Sequence, residues 1–195
     1  MQNPTAISDS IMESIAVKQA ILDNPDFLSR IRQAADIVIA SLRSGGKVHF
    51  CGNGGSAADA QHLAAELSGR YGFDRPPLNA EALHCNTSYL TAAANDFGYD
   101  LAFARLLRGT AKNGDVVVGI STSGNSRNIL NVFETAKEIG VNTIALTGET
   151  GGKMKDLADV LLNVPSTDTP RIQESHILIG HILCELVETA MFGNK

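Results

Sequence analysis

The sequence predicts an α/β fold in which a doubly wound, parallel five-stranded sheet follows two N-terminal helices and precedes one long C-terminal helix. Short apolar runs alternate with segments of helical periodicity after residue 45, which is typical of parallel strands joined by crossover helices. The run DVVVGI, Asp115 to Ile120, has the β-branched residues of a strand that is buried on both faces. The first 44 residues carry apolar residues at helical spacing instead.

Each predicted element follows from a local pattern. Two helices come first, Ser8 to Leu22 and Pro25 to Leu42, and the pair Asn24-Pro25 separates them. Short apolar runs predict five strands: Lys47 to Cys51, Asn79 to His84, Asp115 to Ile120, Asn142 to Leu146 and Asp159 to Val164. Periodic segments predict three further helices: Ser56 to Gly69, Ser126 to Ile139 and Arg171 to Phe192.

Length and composition limit the classes of protein that fit. The chain has 195 residues, of which 44% are apolar, and we expect one domain over residues 1–195, with 1–44 as a helical arm and 45–195 as the α/β core. A net charge of -5 without a cluster of basic residues argues against nucleic acid as a partner. The three cysteines lack paired spacing, which indicates reduced thiols. The N-terminus lacks an apolar signal segment and no apolar run approaches membrane-spanning length, so we expect a cytoplasmic protein without a membrane partner.

Ligands of such sheets bind beyond the carboxyl ends of the strands, and two loops there are unusual in composition. The first is the glycine loop, Gly52 to Ser56, which has the sequence GNGGS and ends where a helix begins. Gly54 and Gly55 let the backbone approach a ligand closely, while Ser56 lies among unpaired N–H groups that carry a partial positive charge. This loop is typical of a site for an anion or a sugar hydroxyl.

The second loop is the serine loop, Ser121 to Ser126, which follows the third predicted strand. It contains four hydroxyl side chains, those of Ser121, Thr122, Ser123 and Ser126. Four hydroxyls in six residues suit a phosphate that is held without lysine. Alternatively, Ser126 or Asn125 caps the next helix and the remaining residues form a turn. Either loop alone leaves both interpretations open, but two such loops at equivalent strand ends favour phosphate.

A competing motif overlaps the glycine loop. Gly52, Gly54 and Ala57 match the G-x-G-x-x-A turn of dinucleotide-binding folds. That motif expects an acidic residue at the end of the second strand, where this sequence has His84. It also leaves the serine loop without a role, so the dinucleotide interpretation is the weaker one.

Titratable residues on two predicted helices could supply acid–base chemistry. Asp59, His62 and Glu66 form one polar stripe, so His62 and Glu66 can reach the same point, and His181 lies on the apolar C-terminal helix. Taken alone, these are a surface pair and a hydrogen-bonded core histidine. Together they offer a general base, a general acid and candidate zinc ligands. Gln173 and His181 are about 12 Å apart along a straight helix, so both could face one ion only by leaning toward it.

Five stretches of this sequence form a specific combination: GNGGSAADAQH (52–62), ANDFGY (94–99), GISTSGNS (119–126), ALTG (145–148) and RIQE (171–174), the last followed by His181. Together they resemble the phosphoheptose isomerases, a family of sugar isomerase (SIS) domain enzymes. The resemblance covers nearly the whole chain and implies a SIS domain of flavodoxin-like topology. The implied activity is the isomerisation of sedoheptulose 7-phosphate to D-glycero-D-manno-heptose 7-phosphate, the first step toward the activated heptoses of lipopolysaccharide and other bacterial glycans.

The resemblance also implies a role for each matching residue. Glu66 would be the base that moves a proton between C1 and C2 through an enediol, and His181 would be the partner acid. The implied substrate-binding residues are Asn53, Gly54, Gly55, Ser56, Glu66, Asn95, Asp96, Ser121, Thr122, Ser123, Ser126 and Gln173. The implied ligands of one zinc ion per subunit are His62, Glu66, Gln173 and His181. A homotetramer with active sites shared between subunits is implied as well.

Two other classes of protein share this fold. One is a non-catalytic relative that binds the bacterial replication initiator as a tetramer and has other residues in place of the catalytic pair. The other comprises sugar-phosphate sensors, which usually carry an appended domain. The presence of Glu66 and His181 favours the isomerase, and we expect no appended domain within 195 residues.

Overall fold

Five parallel strands form the centre of the structure, a computed structural model that describes residues 5–193. The strands are β1 (Val48–Gly52), β2 (Ala80–Ala82), β3 (Val116–Ser121), β4 (Asn142–Thr147) and β5 (Val160–Asn163). They pair in the order β2-β1-β3-β4-β5, and each pairing is parallel. The predicted fold class is confirmed. Residues 1–4 and 194–195, the two ends of the predicted domain, lie outside the described residues.

Helices cover both faces of this sheet. They are α1 (Ala6–Leu22), α2 (Pro25–Arg43), α3 (Gly55–Ser68), α4 (Thr87–Phe97), α5 (Tyr99–Thr110), α6 (Arg127–Ile139) and α7 (Thr169–Phe192). Helices α2, α3 and α7 share one apolar core with strand residues such as Phe50 and Val118. Helices α4, α5 and α6 contribute to a second core around Phe103 and Phe133 on the opposite face. Every residue of β3 is buried, as its β-branched run predicted, and every residue of β1 is buried as well.

The structure adds elements that the sequence analysis left out. The prediction contained nothing between residues 85 and 114, where α4 and α5 lie, and it omitted a 3-10 helix at Gly152–Asp156. Helix α4 buries only Ala93, whereas α5 buries Ala102, Phe103, Ala104 and Leu107, an apolar spacing that the prediction overlooked. Strand β2 has three residues rather than the predicted six, as is common for a strand at the edge of a sheet.

Helix α7 corrects the expectation that no apolar segment approaches membrane-spanning length. It has 24 residues and a mean hydropathy of 1.3, which is enough to cross a membrane by length and composition. Ile172, Ile179 and Val187 of this helix are nevertheless buried in the core between α2, α3 and the sheet. Its apolar character therefore reflects packing as a core helix.

The strand order places the glycine loop and the serine loop side by side. Strand β1 lies between β2 and β3, so the chain winds toward one edge from β1 to β2 and toward the other edge from β3 onward. Gly52 pairs with Ile120 at the carboxyl ends of β1 and β3. Such reversals open a crevice beyond the strand ends, which is where ligands bind in sheets of this type.

Candidate active site

The glycine loop turns tightly from β1 into α3. A Cβ atom on Gly52 would lie 2.4 Å from the carbonyl oxygen of Ser56, so a side chain does not fit there. Gly54 has a φ of 55°, which favours glycine, and it occupies the N-cap position of α3 without a capping side chain. The first N–H groups of α3 therefore lack a side-chain acceptor, as expected of a helix start that binds an anion.

The serine loop leaves the start of α6 similarly uncapped. The Ser126 backbone occupies the N-cap position, but its hydroxyl lies 2.9 Å from that of Ser121 and does not cap the helix. Asn125 bonds to Ser123 and accepts from Lys153 N, so it does not cap α6 either. Ser126 is thus the N-cap residue by position, as the alternative held, but neither its hydroxyl nor the Asn125 side chain caps α6. The loop keeps hydroxyls and free helix N–H groups together, an arrangement suited to a phosphate.

Gly124 fixes the course of the serine loop. Its φ is 64°, and a Cβ atom there would lie 2.2 Å from the carbonyl oxygen of Gly151. Met154 N donates to the Gly124 carbonyl oxygen at 3.0 Å. The loop is thus held against the 3-10 helix before a ligand arrives, and preorganisation of this kind lowers the cost of binding.

A pair of asparagine side chains joins the two loops. Asn53 Nδ2 donates to Asn128 Oδ1 at 2.9 Å, and Asn128 Nδ2 donates back to Asn53 Oδ1 at 2.9 Å. The Tyr99 hydroxyl also donates to Asn53 Oδ1, again at 2.9 Å. Asn128 is 3% exposed, so an unpaired amide there would be costly. Asn53, predicted to contact substrate, thus already holds the glycine loop to α6.

Helices α3 and α7 run side by side in the same direction. A Cβ atom on Gly55 would lie 2.7 Å from Gln173 Nε2, and one on Gly180 would lie 2.5 Å from the Leu63 side chain. The two helices therefore stay in contact from their N-terminal turns, at Gly55 and Gln173, to the turns that carry Leu63 and Gly180. This register brings His62 of α3 to His181 of α7.

His62 lies between His181 and Glu66. The Nε2 atoms of His62 and His181 are 3.1 Å apart, and His62 Nε2 is 3.2 Å from Glu66 Oε1. Which of the two rings donates in the contact between the histidines depends on their tautomers. The predicted base and acid therefore lie in one cluster with His62.

Asp59 adds a second carboxylate near the imidazoles. Burial raises the pKa of the Asp59 carboxyl above its ordinary value, and the charges of His62 and His181 act in the opposite direction. Asp59 lies one turn before His62 on α3, as the polar stripe predicted. The polar stripe of Asp59, His62 and Glu66 therefore faces α7 as well as solvent.

The donor atoms suit zinc in kind, and two of their pairwise separations suit it as well. Two imidazole nitrogens and a carboxylate oxygen are common zinc donors, and tetrahedral coordination at the usual bond lengths separates two donors by about 3.3 Å. The two measured separations at His62, 3.1 Å and 3.2 Å, are close to that distance. Among the His, Cys, Asp and Glu side chains of residues 5–193, however, no three are arranged as a complete metal-binding group.

The structure separates the other predicted site residues from this cluster. Gln173 lies against Gly55 of the glycine loop, about 10 Å along α3 from His62. Asn95 and Asp96 are exposed at the end of α4, where Asn95 Nδ2 donates to Asp96 Oδ1 at 3.0 Å. Neither residue bonds to the glycine loop or the serine loop within the described part of the chain.

Sequence reasoning missed the partners of Asn53. Asn128 is a buried polar residue on an amphipathic helix, and that break in the apolar pattern was the available signal. Tyr99 belongs to the stretch ANDFGY but was assigned no role, because its bond to Asn53 spans 46 positions in the sequence. Both residues position the loops beside the crevice.

Comparisons with known proteins agree with this architecture. A phosphoheptose isomerase from Sulfurimonas denitrificans is 53% identical over 188 residues, which cover 96% of each chain. One from Mycobacterium bovis is 56% identical over 184 residues, or 94% of each chain. The structure of a phosphoheptose isomerase from Neisseria gonorrhoeae superposes with a TM-score of 0.87 at 44% identity, covering 94% of this chain and 97% of that one. The structure of a phosphoheptose isomerase from Francisella tularensis superposes with a TM-score of 0.91 at 36% identity, covering 97% of this chain and 100% of that one.

Residues 14–148 match the family model of the SIS domain, the class that the parallel sheet and the two loops define. The match spans β1 to β4 and both loops. The chain belongs to the phosphoheptose isomerase family of SIS domain proteins.

Proposed function

We propose that this chain converts sedoheptulose 7-phosphate to D-glycero-D-manno-heptose 7-phosphate by proton transfer through an enediol. The observation that carries the proposal is the cluster of Glu66, His62 and His181 on two helices, the first of which begins at the glycine loop. The substrate carries its phosphate and its reacting carbons at opposite ends. A phosphate loop and a separate acid–base cluster suit such a molecule.

Glu66 is the proposed base. Its carboxylate takes a proton from C1 of the ketose while the C2 carbonyl oxygen gains one, which gives the enediol. Glu66 then returns its proton to C2 as the C1 hydroxyl loses one and becomes the aldehyde. The side chain of Glu66 is 25% exposed, so a substrate can reach it.

His181 is the proposed acid that exchanges protons with the two substrate oxygens. Its Nε2 lies 3.1 Å from His62 Nε2, within hydrogen-bond distance. A proton that leaves the C1 hydroxyl and one that reaches the C2 oxygen can both pass through such an imidazole. His62 supports this role because its Nε2 lies 3.1 Å from His181 Nε2 and 3.2 Å from Glu66 Oε1.

The serine loop is the proposed phosphate site, with Ser121, Thr122, Ser123 and Ser126 as hydroxyl donors. Ser56, Gly54 and Gly55 would contribute from the start of α3. Asn53 and Gln173 would contact sugar hydroxyls: Gln173 reaches the glycine loop, and its amide makes no hydrogen bond to the rest of residues 5–193. These contacts use short polar groups and helix N–H groups, which together suit a phosphate without a lysine.

We also propose one zinc ion per subunit, held by His62, Glu66 and His181 with Gln173 as a fourth ligand after its side chain moves. The donor types and the two short separations at His62 support this assignment. Bound zinc would act as a Lewis acid on a substrate oxygen.

A homotetramer is the proposed assembly, with active sites shared between subunits. Helix α1 buries only Ile21 among its described residues, while Ile7, Ile11, Met12, Ile15 and Leu22 are 53% to 75% exposed. An apolar stripe of this kind is typical of a protein interface. Asn95 and Asp96 are exposed as well, and they would reach the sugar of a neighbouring subunit.

The proposed setting is a cytoplasmic single SIS domain that starts the route to activated heptoses. The test is aldose formation from sedoheptulose 7-phosphate by the purified protein, with fructose 6-phosphate as the matched ketose control. We expect turnover of the heptulose in clear preference to the hexulose. A folded oligomer that converts neither sugar would instead favour the non-catalytic, initiator-binding class.

A further inference from the structure

A buried ion pair joins the segment after α3 to the second half of α7. Arg75 Nε donates to Glu188 Oε1 at 2.9 Å, and the two side chains are 1% and 2% exposed. Buried ion pairs add little stability on average because both charges lose water. The partners of this pair point to another role, which is to hold the proposed acid and base in register.

Arg75 caps the end of the helix that carries Glu66. Its guanidinium donates to the carbonyl oxygen of Glu66 at 2.9 Å, of Leu67 at 2.7 Å and of Gly69 at 2.9 Å. Carbonyl groups in the last turn of a helix have no partner within the helix. Arg75 supplies those partners and thereby fixes the turn of α3 from which the Glu66 side chain projects.

Glu188 holds the following turn against α7. Its carboxylate accepts from Tyr71 N at 2.9 Å and from Gly72 N at 2.7 Å, in addition to Arg75. Burial alone would raise the pKa of the Glu188 carboxyl, but these N–H groups and Arg75 outweigh burial and hold the pKa below its ordinary value. The carboxylate is therefore ionised at neutral pH and its bonds to the turn persist.

These bonds hold the segment that carries Tyr71, whose aromatic ring packs against the imidazole of His181. The Tyr71 ring lies 5.8 Å from the His181 ring, with an interplanar angle of 47°. The His62 ring lies 5.2 Å from the same imidazole. Within residues 5–193 the Tyr71 hydroxyl makes no hydrogen bond, so the aromatic ring is the part of Tyr71 that acts on His181.

We propose that Tyr71 is a positioning residue, which limits rotation of the His181 imidazole and keeps its Nε2 directed at His62, and that the Arg75–Glu188 pair holds Tyr71 in place. This inference rests on the role proposed for His181. A misdirected imidazole would slow proton transfer without changing how the phosphate binds. Removal of the ring should therefore lower kcat and leave KM nearly unchanged.

The test compares Tyr71→Phe with Tyr71→Leu in steady-state assays on sedoheptulose 7-phosphate. We expect Tyr71→Phe to keep kcat within about twofold and Tyr71→Leu to lower kcat about tenfold or more, with KM within about threefold for both. Phe73→Leu, in the same turn and 39% exposed, is the matched control and should behave as wild type. The 15N shifts of the His181 ring should change in Tyr71→Leu and stay constant in Tyr71→Phe.

The outcomes separate this inference from the proposed function. If Tyr71→Leu keeps kcat while His181→Gln loses it, the positioning role is wrong and the proposed function stands. If His181→Gln also keeps kcat, His181 is not the acid, and the positioning role of Tyr71 loses its basis. Equal losses in Tyr71→Phe and Tyr71→Leu would show that the hydroxyl acts and would overturn the ring contact. If Tyr71→Leu fails to fold, Glu188→Gln replaces it, and an unchanged kcat in that variant would contradict the role of the pair.

Discussion

The Nε2 atoms of His62 and His181 lie 3.1 Å apart, although the two residues are 119 positions apart in the sequence. The parallel course of α3 and α7 produces this contact, because Gly55 meets Gln173 at one end and Leu63 meets Gly180 near the histidines. Glu66 joins the pair through His62. The acid–base cluster therefore depends on the register of two helices, and the following expectations address its parts and its surroundings.

Replacement of the proposed base should abolish turnover and spare binding. Glu66→Gln keeps the shape of the side chain but cannot accept a proton, so we expect kcat to fall about 100- to 10,000-fold. KM and the melting temperature should change little. Glu134→Gln, an exposed glutamate on α6, is the control. Appreciable activity in Glu66→Gln would exclude Glu66 as the base.

Loss of a hydroxyl from the serine loop should weaken phosphate binding. We expect Ser123→Ala to raise the Kd for sedoheptulose 7-phosphate about 30-fold, because a hydrogen bond to a charged group contributes about 2 kcal/mol. Calorimetric titration of the inactive Glu66→Gln protein with and without Ser123→Ala measures this directly. Ser29→Ala, on the exposed side of α2, should leave the Kd unchanged. An unaltered Kd in Ser123→Ala would remove that residue from the phosphate site.

Metal content tests the zinc proposal independently of turnover. We expect about one zinc per subunit by mass spectrometry of the purified protein, and a lower melting temperature after chelation, because a ligand that binds only the folded state stabilises it. His62→Ala should lose the metal, whereas His84→Ala, at the end of β2, should retain it. Full zinc content in His62→Ala would contradict the proposed ligand set.

The exposed apolar residues of α1 predict that this helix takes part in subunit assembly. Ile11 is 55% exposed, and a charge at that position would be buried in the proposed subunit interface. We expect Ile11→Asp to convert the tetramer to smaller species by light scattering. Ala20→Asp adds the same charge on another face of the helix and should leave the mass unchanged. A monomeric wild-type protein would refute the tetramer itself.

His176 should make the folded state sensitive to acid. It is fully buried, and burial lowers its pKa to about 4, although a bond to the Thr147 carbonyl oxygen acts in the opposite direction. The unfolded chain binds a proton near pH 6.5, where the folded protein does not, so stability falls as the pH drops from about 6.5 to about 4.

Urea unfolding at fixed protein concentration measures this effect. Between pH 7 and pH 5, His176 should account for about 2 kcal/mol of lost unfolding free energy. His176→Asn should show a smaller difference between the two pH values by that amount. An identical pH dependence in wild type and variant would indicate that His176 titrates normally.

The sequence predicted the features that have a strong local cause. The β-branched run of β3 and the glycine loop both appear where expected, because strand burial and tight turns restrict residue choice at each position. Helix α4 was missed where it buries a single alanine, whereas α5 buries Phe103 and Leu107 one turn apart, a signal that was available and was overlooked. The bond between Asn53 and Asn128 was hidden for another reason: it depends on which strands become neighbours.

The residue types at the site could be predicted, but the distances between side chains on α3 and side chains on α7 could not. His62, Glu66 and His181 were selected by polarity on apolar helices, and the structure brings all three together. Gln173 was grouped with them and lies instead at the glycine loop, because a straight helix separates it from His181 by about 12 Å. The side-chain distances in this cluster are set by the register of α3 against α7.

The most direct measurement of the central claim is proton NMR of sedoheptulose 7-phosphate incubated in D2O with wild-type protein and with Glu66→Gln. We expect an aldose signal and solvent deuterium at C2 with the wild type, and neither with the variant, because Glu66 is the base proposed to carry the proton between C1 and C2. Conversion by both proteins, or by neither when both are folded, would contradict the account.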